Sequence, residues 1–358
     1  MNIRLVVSVV LAGMLLMASC SDTPETPSPP KSPAAAPSAA PPAPGGAAHK
    51  VCLAISSDGL GDSGYNDMQY AALVAGRARH EFVMDITTLQ DNQPDPAGLA
   101  LGQLLERNCT VVIAGQGWSM LAAVERLAPQ HPQVRFFVVD ATPAVFAPNV
   151  AGSRFHVEEA AFQAGYLAAA VSTTKALASV GGAAAPAVLD FIQGFEAGAI
   201  YQNPRCALHR IFLSEANPEA NPWNSPAKAQ AVAQALAREH KVDVLFAVAG
   251  GSNTGVFRAA TEGGLRAVGV DTDQDHLAKG VILTSVMKRV DVALENVLDA
   301  IMSNTFENKQ YSFSLRNGGV GLSPMTYTRA ALPPKLPAEL DEIRRRIIAG
   351  DILVPASQ

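Results

Sequence analysis

From Val51 to Asn304 the sequence alternates short apolar runs with helix-length amphipathic segments. Such a βαβ rhythm demands parallel pairing, with helices covering both faces of the sheet. The strand runs are Val51–Ser56, Phe82–Thr87, Thr110–Ala114, Arg135–Asp140, Ala178–Gly181, Ala207–Leu213, Val242–Val248, Ala267–Asp271 and Ile282–Val286. The helical runs are Asn66–Ala78, Pro96–Arg107, Met120–Ala128, Glu158–Val171, Val188–Tyr201, Pro226–His240, Asn253–Glu262 and Val290–Asn304. Nine strands fit two doubly wound lobes better than one sheet. The break is expected near Gly152–Val157, where a short extended piece precedes the next helix.

In such folds ligands meet the carboxyl ends of strands. Those ends carry Ser56-Ser57-Asp58, Gly115-Gln116-Gly117-Trp118, Asp140, Gly250-Gly251-Ser252-Asn253 and Asp271-Thr272-Asp273. Polar loops of this kind on two lobes describe a cleft that closes on a ligand.

Familiar chemical motifs fail on inspection. Gly59 to Gly64 spells G-x-G-x-x-G, but three polar residues loosen the turn, and Asp62 puts a carboxylate where a pyrophosphate should sit. Asp271 to Asp275 begins like a calcium loop, yet its sixth and twelfth positions are His276 and Ile282. Gly250 to Thr254 misses a nucleophile elbow at its last glycine. The seven histidines are scattered singly, so no catalytic residue and no metal ligand is nominated.

Charge narrows the partners. Against 32 acidic residues stand 27 Lys and Arg, a formal net charge of −5, and the one basic cluster is Arg344-Arg345-Arg346. Nucleic acid is not an expected partner. Four cysteines without a C-x-x-C pair build neither a disulfide scaffold nor a zinc site.

The N-terminus reads as an export signal. Arg4 precedes the run Leu5–Met17, too short to cross ~30 Å of hydrocarbon as a helix. The run ends in Leu16-Met17-Ala18-Ser19-Cys20, which resembles a bacterial lipobox with Cys20 as the lipidated residue. Residues 21–48 hold nine prolines among Ser, Ala and Thr, an extended tether rather than a core-forming segment. The expected location is the extracytoplasmic face or periplasm, lipid-anchored to the cell membrane.

Several further segments fit together in order: Asp62-Ser63-Gly64-Tyr65-Asn66-Asp67, Phe155-His156-Val157-Glu158-Glu159, Phe191-Ile192-Gln193-Gly194-Phe195-Glu196, Ala249 to Phe257, Gly269-Val270-Asp271-Thr272-Asp273, and Leu283 to Asp291. Asn317-Gly318-Gly319-Val320-Gly321 adds a late echo. Together they resemble the basic membrane protein family of substrate-binding lipoproteins, whose members include purine nucleoside receptors of ABC importers. The resemblance implies a type I periplasmic-binding fold with hinge strands near Arg154, Val281 and Lys309. One lobe would comprise residues 49–154 with about 281–308, the other 155–280 with about 309–358.

By the same resemblance Tyr65, in place of the family's phenylalanine, and Phe191 would sandwich a flat base. Asp271 would accept from ribose hydroxyls with Lys288 beside it, Gly251 would admit the ligand to the backbone, and Asp62 and Asn66 would hydrogen-bond base or sugar edges. An aspartate that reads the base in nucleoside receptors falls near Ala122 here, while Trp118 offers another stacking surface. Cys52 and Cys109 each begin a strand; in a 2-1-3 sheet order those strands are neighbours, so an exported protein is expected to join them and leave Cys206 single.

The reading is a monomeric receptor without cofactor, serving an ABC permease and its ATPase. A nucleoside-sensing receptor with a signalling partner, or a nucleoside-cleaving hydrolase using Asp271–Asp275, are the alternatives.

Overall fold

The computed structural model of the chain describes residues 49–62, 64–216 and 221–357. The signal segment, the tether and Cys20 lie outside the described residues.

The first lobe runs β1 (Lys50–Ile55), α1 (Tyr65–His80), β2 (Val83–Thr88), α2 (Pro96–Glu106), β3 (Val111–Ala114), α3 (Gly117–Leu127), β4 (Arg135–Val138) and β5 (Val150–Phe155). Helix α4 (Val157–Val171) then opens the second lobe. It continues with β6 (Ala176–Gly181), α5 (Pro186–Gln202), β7 (Ala207–Phe212), α6 (Leu213–Ala216), α7 (Pro226–His240), β8 (Val244–Val248), α8 (Asn253–Gly263), β9 (Arg266–Asp271) and β10 (Ile282–Lys288). Last come α9 (Val290–Met302), β11 (Gln310–Phe313), β12 (Val320–Leu322) and α10 (Leu336–Ala349).

Two six-stranded sheets result, β11-β5-β4-β3-β1-β2 and β12-β10-β9-β8-β6-β7. Each keeps the 2-1-3-4-5 order and is parallel, except that β12 runs antiparallel to β10. Central β3, β6 and β8 are buried along their whole length, as continuous apolar runs covered on both faces must be. The peripheral strands β2 and β7 read Val-Met-Asp-Ile-Thr-Thr and Ala-Leu-His-Arg-Ile-Phe and stay partly exposed. Prolines at the first turns of α2, α5 and α7 occupy positions where a missing N–H costs nothing, and the Asp95 side chain caps α2 by accepting from Gly98 N.

Helices α4 and α5 touch backbone to backbone. A Cβ at Gly165 would lie 1.8 Å from the Phe195 carbonyl oxygen, and one at Gly198 would lie 1.9 Å from that of Phe162. The seam fixes α5, and with it Phe191, against the crossover into the second lobe.

The crossings differ from those expected. Strand β10 belongs wholly to the second sheet, paired with β9, so the chain returns to the first lobe at Arg289 rather than near Val281. Strand β11 pairs with β5 in the first sheet, so the last crossing comes after Phe313 rather than at Lys309. The returning piece of the first lobe is therefore α9 with β11, not residues 281–308. An apolar strand run states its faces but not its sheet, because pairing is decided by long-range hydrogen bonds. The short extended piece expected before the second lobe is β5, whereas β11, β12 and helices α6 and α10 were not among the elements read from the sequence; β12 is three residues and β11 is mostly polar.

Candidate functional site

The carboxyl ends of both sheets face one cavity of about 450 Å³, within the ~300–1,000 Å³ usual for small-molecule sites. All eight nominated ligand residues line it: Asp62, Tyr65, Asn66 and Trp118 from the first lobe, and Phe191, Gly251, Asp271 and Lys288 from the second. Ala122 is exposed on α3 and outside the lining, whereas Gln116 and Trp118, at the start of the same helix, line the cavity.

The loop between β1 and α1 is tied by its own polar residues. The Asp62 carboxylate accepts from the backbone N–H groups of Gly64 (2.9 Å), Asn66 (2.9 Å) and Asp67 (3.2 Å), capping the otherwise unpaired start of α1. Asn66, 3% exposed, donates from Nδ2 to Ser56 Oγ and to the Gly59 carbonyl, each at 2.8 Å. Both hydrogens of that amide are thus used within the protein, and the expected donation from Asn66 to a base or sugar edge is replaced by shaping of the loop.

The centre of the cavity is charged. Lys288 Nζ donates to Asp140 Oδ2 at 2.7 Å across the lobes, and Asp271 Oδ1 lies at 3.9 Å. The same ammonium is 5.4 Å from the ring centroid of Tyr65 and 5.0 Å from that of Phe191, within cation–π range of both. Burial works against the Lys288 charge, but Asp140 and Asp271 more than offset it and hold its pKa above the ordinary lysine value. Asp271 is pushed up to about 6 by burial, which Lys288 opposes and Asp140 and Asp62 reinforce. Burial, then Asp140 and Asp271, drive the Tyr65 hydroxyl well above its usual range, so Tyr65 is a neutral wall.

Four carboxylates, Asp58, Asp62, Asp140 and Asp271, share the lining with this single ammonium. Asp58, Gln116 and Asp140 stand among the strand-end polar clusters legible in the sequence but were not nominated. Trp223 was missed altogether. Its ring lies where a Cβ on Gly182 would be, 2.3 Å from the nearest ring atom, and its carbonyl accepts from Ser252 N at 3.0 Å. A lone tryptophan in the polar stretch Asn221-Pro222-Trp223-Asn224 before α7 was the available signal. The Asp271–Asp275 run does not converge: Asp275 is buried, accepting from Ser285 Oγ (2.8 Å) and Ser323 Oγ (2.7 Å). Among the described residues no group of three or more His, Cys, Asp or Glu gathers at metal-binding spacing.

The other nominated pair is joined: a disulfide links Cys52 and Cys109, Cα atoms 5.9 Å apart, and Cys206 is free and buried. It forms where the neighbouring strands β1 and β3 begin.

Residues 49–358 match the family model described as ABC transporter substrate-binding protein PnrA-like. Basic membrane protein A of Borreliella burgdorferi is 30% identical over 254 residues, covering 69% of this chain and 70% of its own. Basic membrane protein C of the same organism is 29% identical over 241 residues, 65% of each chain, so the match spans about two thirds of that relative. An ABC transporter solute-binding protein from Aeropyrum pernix K1 shares the fold at TM-score 0.77 and 20% identity, covering 87% of this chain and 94% of that one. Its two parallel-sheet lobes are those of the type I periplasmic-binding architecture. No helix among the described residues is long and apolar enough to cross a membrane. With a cleft between two doubly wound lobes and a family match over the whole described region, the chain belongs to the PnrA-like family of ABC transporter substrate-binding proteins.

Proposed function

We propose that this substrate-binding protein is a lipid-anchored receptor that takes a nucleoside, a purine in preference, between its lobes and delivers it to an ABC permease and its ATPase. One arrangement carries the reading: aromatic rings from opposite lobes, Tyr65 and Phe191, line the same cavity as the Asp271 carboxylate. A flat base suits the rings, where stacking is worth ~1–3 kcal/mol, and vicinal hydroxyls suit the carboxylate. The charge balance of the lining favours a neutral ligand, since a phosphate would enter among four carboxylates. Closure needs no chemistry: the ligand stabilises the closed form by the contacts it makes to both lobes only there.

The lipobox-like sequence ending at Cys20 and the proline-rich composition of residues 21–48 support export and anchoring; a chain of that length extended at ~3.1 Å per residue would reach about 85 Å. Coupling to a signalling partner in place of a permease is the second reading, and genes for a permease and ATPase beside this one would favour import.

Calorimetry on residues 49–358, unfolded and refolded to strip carried ligand, tests the reading against purine and pyrimidine nucleosides. Binding that is lost in Asp271→Ala and Tyr65→Ala supports it. No heat with any nucleoside overturns the ligand while leaving the fold and family untouched. Loss of fatty-acid labelling in Cys20→Ala tests the anchor.

A further inference from the structure

We propose that Asp140 is a positioning residue of the ligand site: it holds the Lys288 ammonium across the cleft, leaving the Asp271 carboxylate free to accept from a ligand's neighbouring hydroxyls. The inference rests on the nucleoside reading only for the identity of that ligand.

The geometry is asymmetric in the way such a role requires. Lys288 donates to Asp140 at 2.7 Å, whereas Asp271 at 3.9 Å lies outside hydrogen-bonding distance. The Asp271 carboxylate accepts no hydrogen bond among the described residues, yet its side chain keeps 16% of its surface exposed and lines the cavity. Asp140 and Asp271 sit at equivalent places, the ends of the fourth strands of the two sheets, and both have left-handed backbone, φ +58° and +68°. Two matched carboxylates thus compete for one ammonium, and Asp140 has it.

The groups facing this centre are few. Lys288 comes from β10, Asp140 follows β4, Asp62 precedes α1, Tyr65 lies on α1, and Asp190 on α5 adds to the field at Lys288. With Asp140 neutralised, Asp271 becomes the nearest carboxylate to Lys288. The pair that forms would occupy the acceptor oxygens, and a ligand hydroxyl would have to displace it. Removing the Asp140 charge also removes a repulsion on Asp271, so both effects make Asp271 ionise at lower pH.

The decisive experiment is a pH titration of aspartate ¹³Cγ signals in the ligand-free full chain, with Asp271 assigned by its loss in Asp271→Asn. In Asp140→Asn the Asp271 midpoint is expected to fall by about one pH unit or more. An unchanged or raised midpoint overturns the proposal. Should Asp140→Asn fail to fold, Asp140→Ser carries the same expectation. A second arm measures Kd for guanosine, inosine and adenosine against their 2′-deoxy forms. A ribose preference of roughly tenfold or more in the parent should shrink to about twofold in Asp140→Asn, because the acceptor that reads the hydroxyl is taken. Equal weakening of both sugars with an unshifted midpoint would make Asp140 merely structural. If the parent binds no nucleoside, the nucleoside reading falls, and the ligand-free titration still decides the role of Asp140.

Discussion

Asn221 of the second lobe donates a hydrogen bond to Asp58 of the first, 2.7 Å across the cleft. The Lys288–Asp140 pair likewise joins side chains of the two lobes. Both require the lobes to be close, so both belong to the closed form.

Removing the first should loosen closure and leave Lys288, Asp140 and Asp271 in place, although it also frees Trp223 N, which donates to Asn221 Oδ1 at 2.9 Å. Asn221→Ala is expected to raise the ligand off-rate about fivefold, the worth of roughly 1 kcal/mol for a partly exposed hydrogen bond. Stopped-flow tryptophan fluorescence, with Trp118 and Trp223 both in the lining, reads it. An unchanged off-rate would mean that this contact is broken in solution.

Asp271 should make stability and binding respond oppositely to pH. Its pKa of about 6 lies above the ordinary carboxylate value, so the folded protein holds this proton more tightly than the unfolded chain does. The group therefore costs stability above about pH 6, and the cost is relieved as pH falls toward about 4. Asp271→Asn is expected to raise the melting temperature at about pH 7.5 and to have little effect near about pH 4.5. Affinity in the parent should instead fall below about pH 6, as the acceptor is protonated. Thermal melts and calorimetry across this range check both signs.

The disulfide closes a loop of 57 residues. Loop-closure entropy puts its contribution at about 4 kcal/mol, with native-state strain able to reduce that. The Cys52→Ala, Cys109→Ala double variant should unfold at clearly lower denaturant. Thiol labelling of the unfolded, unreduced parent should find Cys206 reactive and this pair protected.

Packing at the α4–α5 seam leaves no room for a methyl group. Gly198→Ala is expected to destabilise by about 1–3 kcal/mol, because the atom it meets is the Phe162 backbone carbonyl rather than a pliable side chain. Since the seam holds the helix bearing Phe191, nucleoside affinity should drop as well. Urea unfolding and calorimetry on one preparation separate the two effects.

Much of this protein was legible as sequence because the signals are local. Strand runs such as Val244–Val248 are apolar throughout and are buried throughout, and α7 starts at Pro226 as its sequence predicts. The polar ends of those runs named part of the cavity wall, Trp118, Gly251 and Asp271 among it, and the family resemblance added Asp62, Tyr65, Asn66, Phe191 and Lys288. Helix α10 carried an equally plain pattern, with Leu336, Leu340, Ile343 and Ile347 on its buried face.

Other features existed only in three dimensions. Ile282–Lys288 is the same apolar run whichever sheet it joins; pairing with β9 put it in the second, moved the crossing to Arg289 and brought Lys288 to the cavity. The sequence separation of 148 between Asp140 and Lys288 hides their pairing from any local pattern. The sequence by itself determined where strands and helices lie, because hydrophobic period and turn chemistry act over a few residues. Tertiary structure decided which sheet each strand completes and which charge each carboxylate meets, because those outcomes depend on hydrogen bonds and Coulomb interactions between segments distant in the chain.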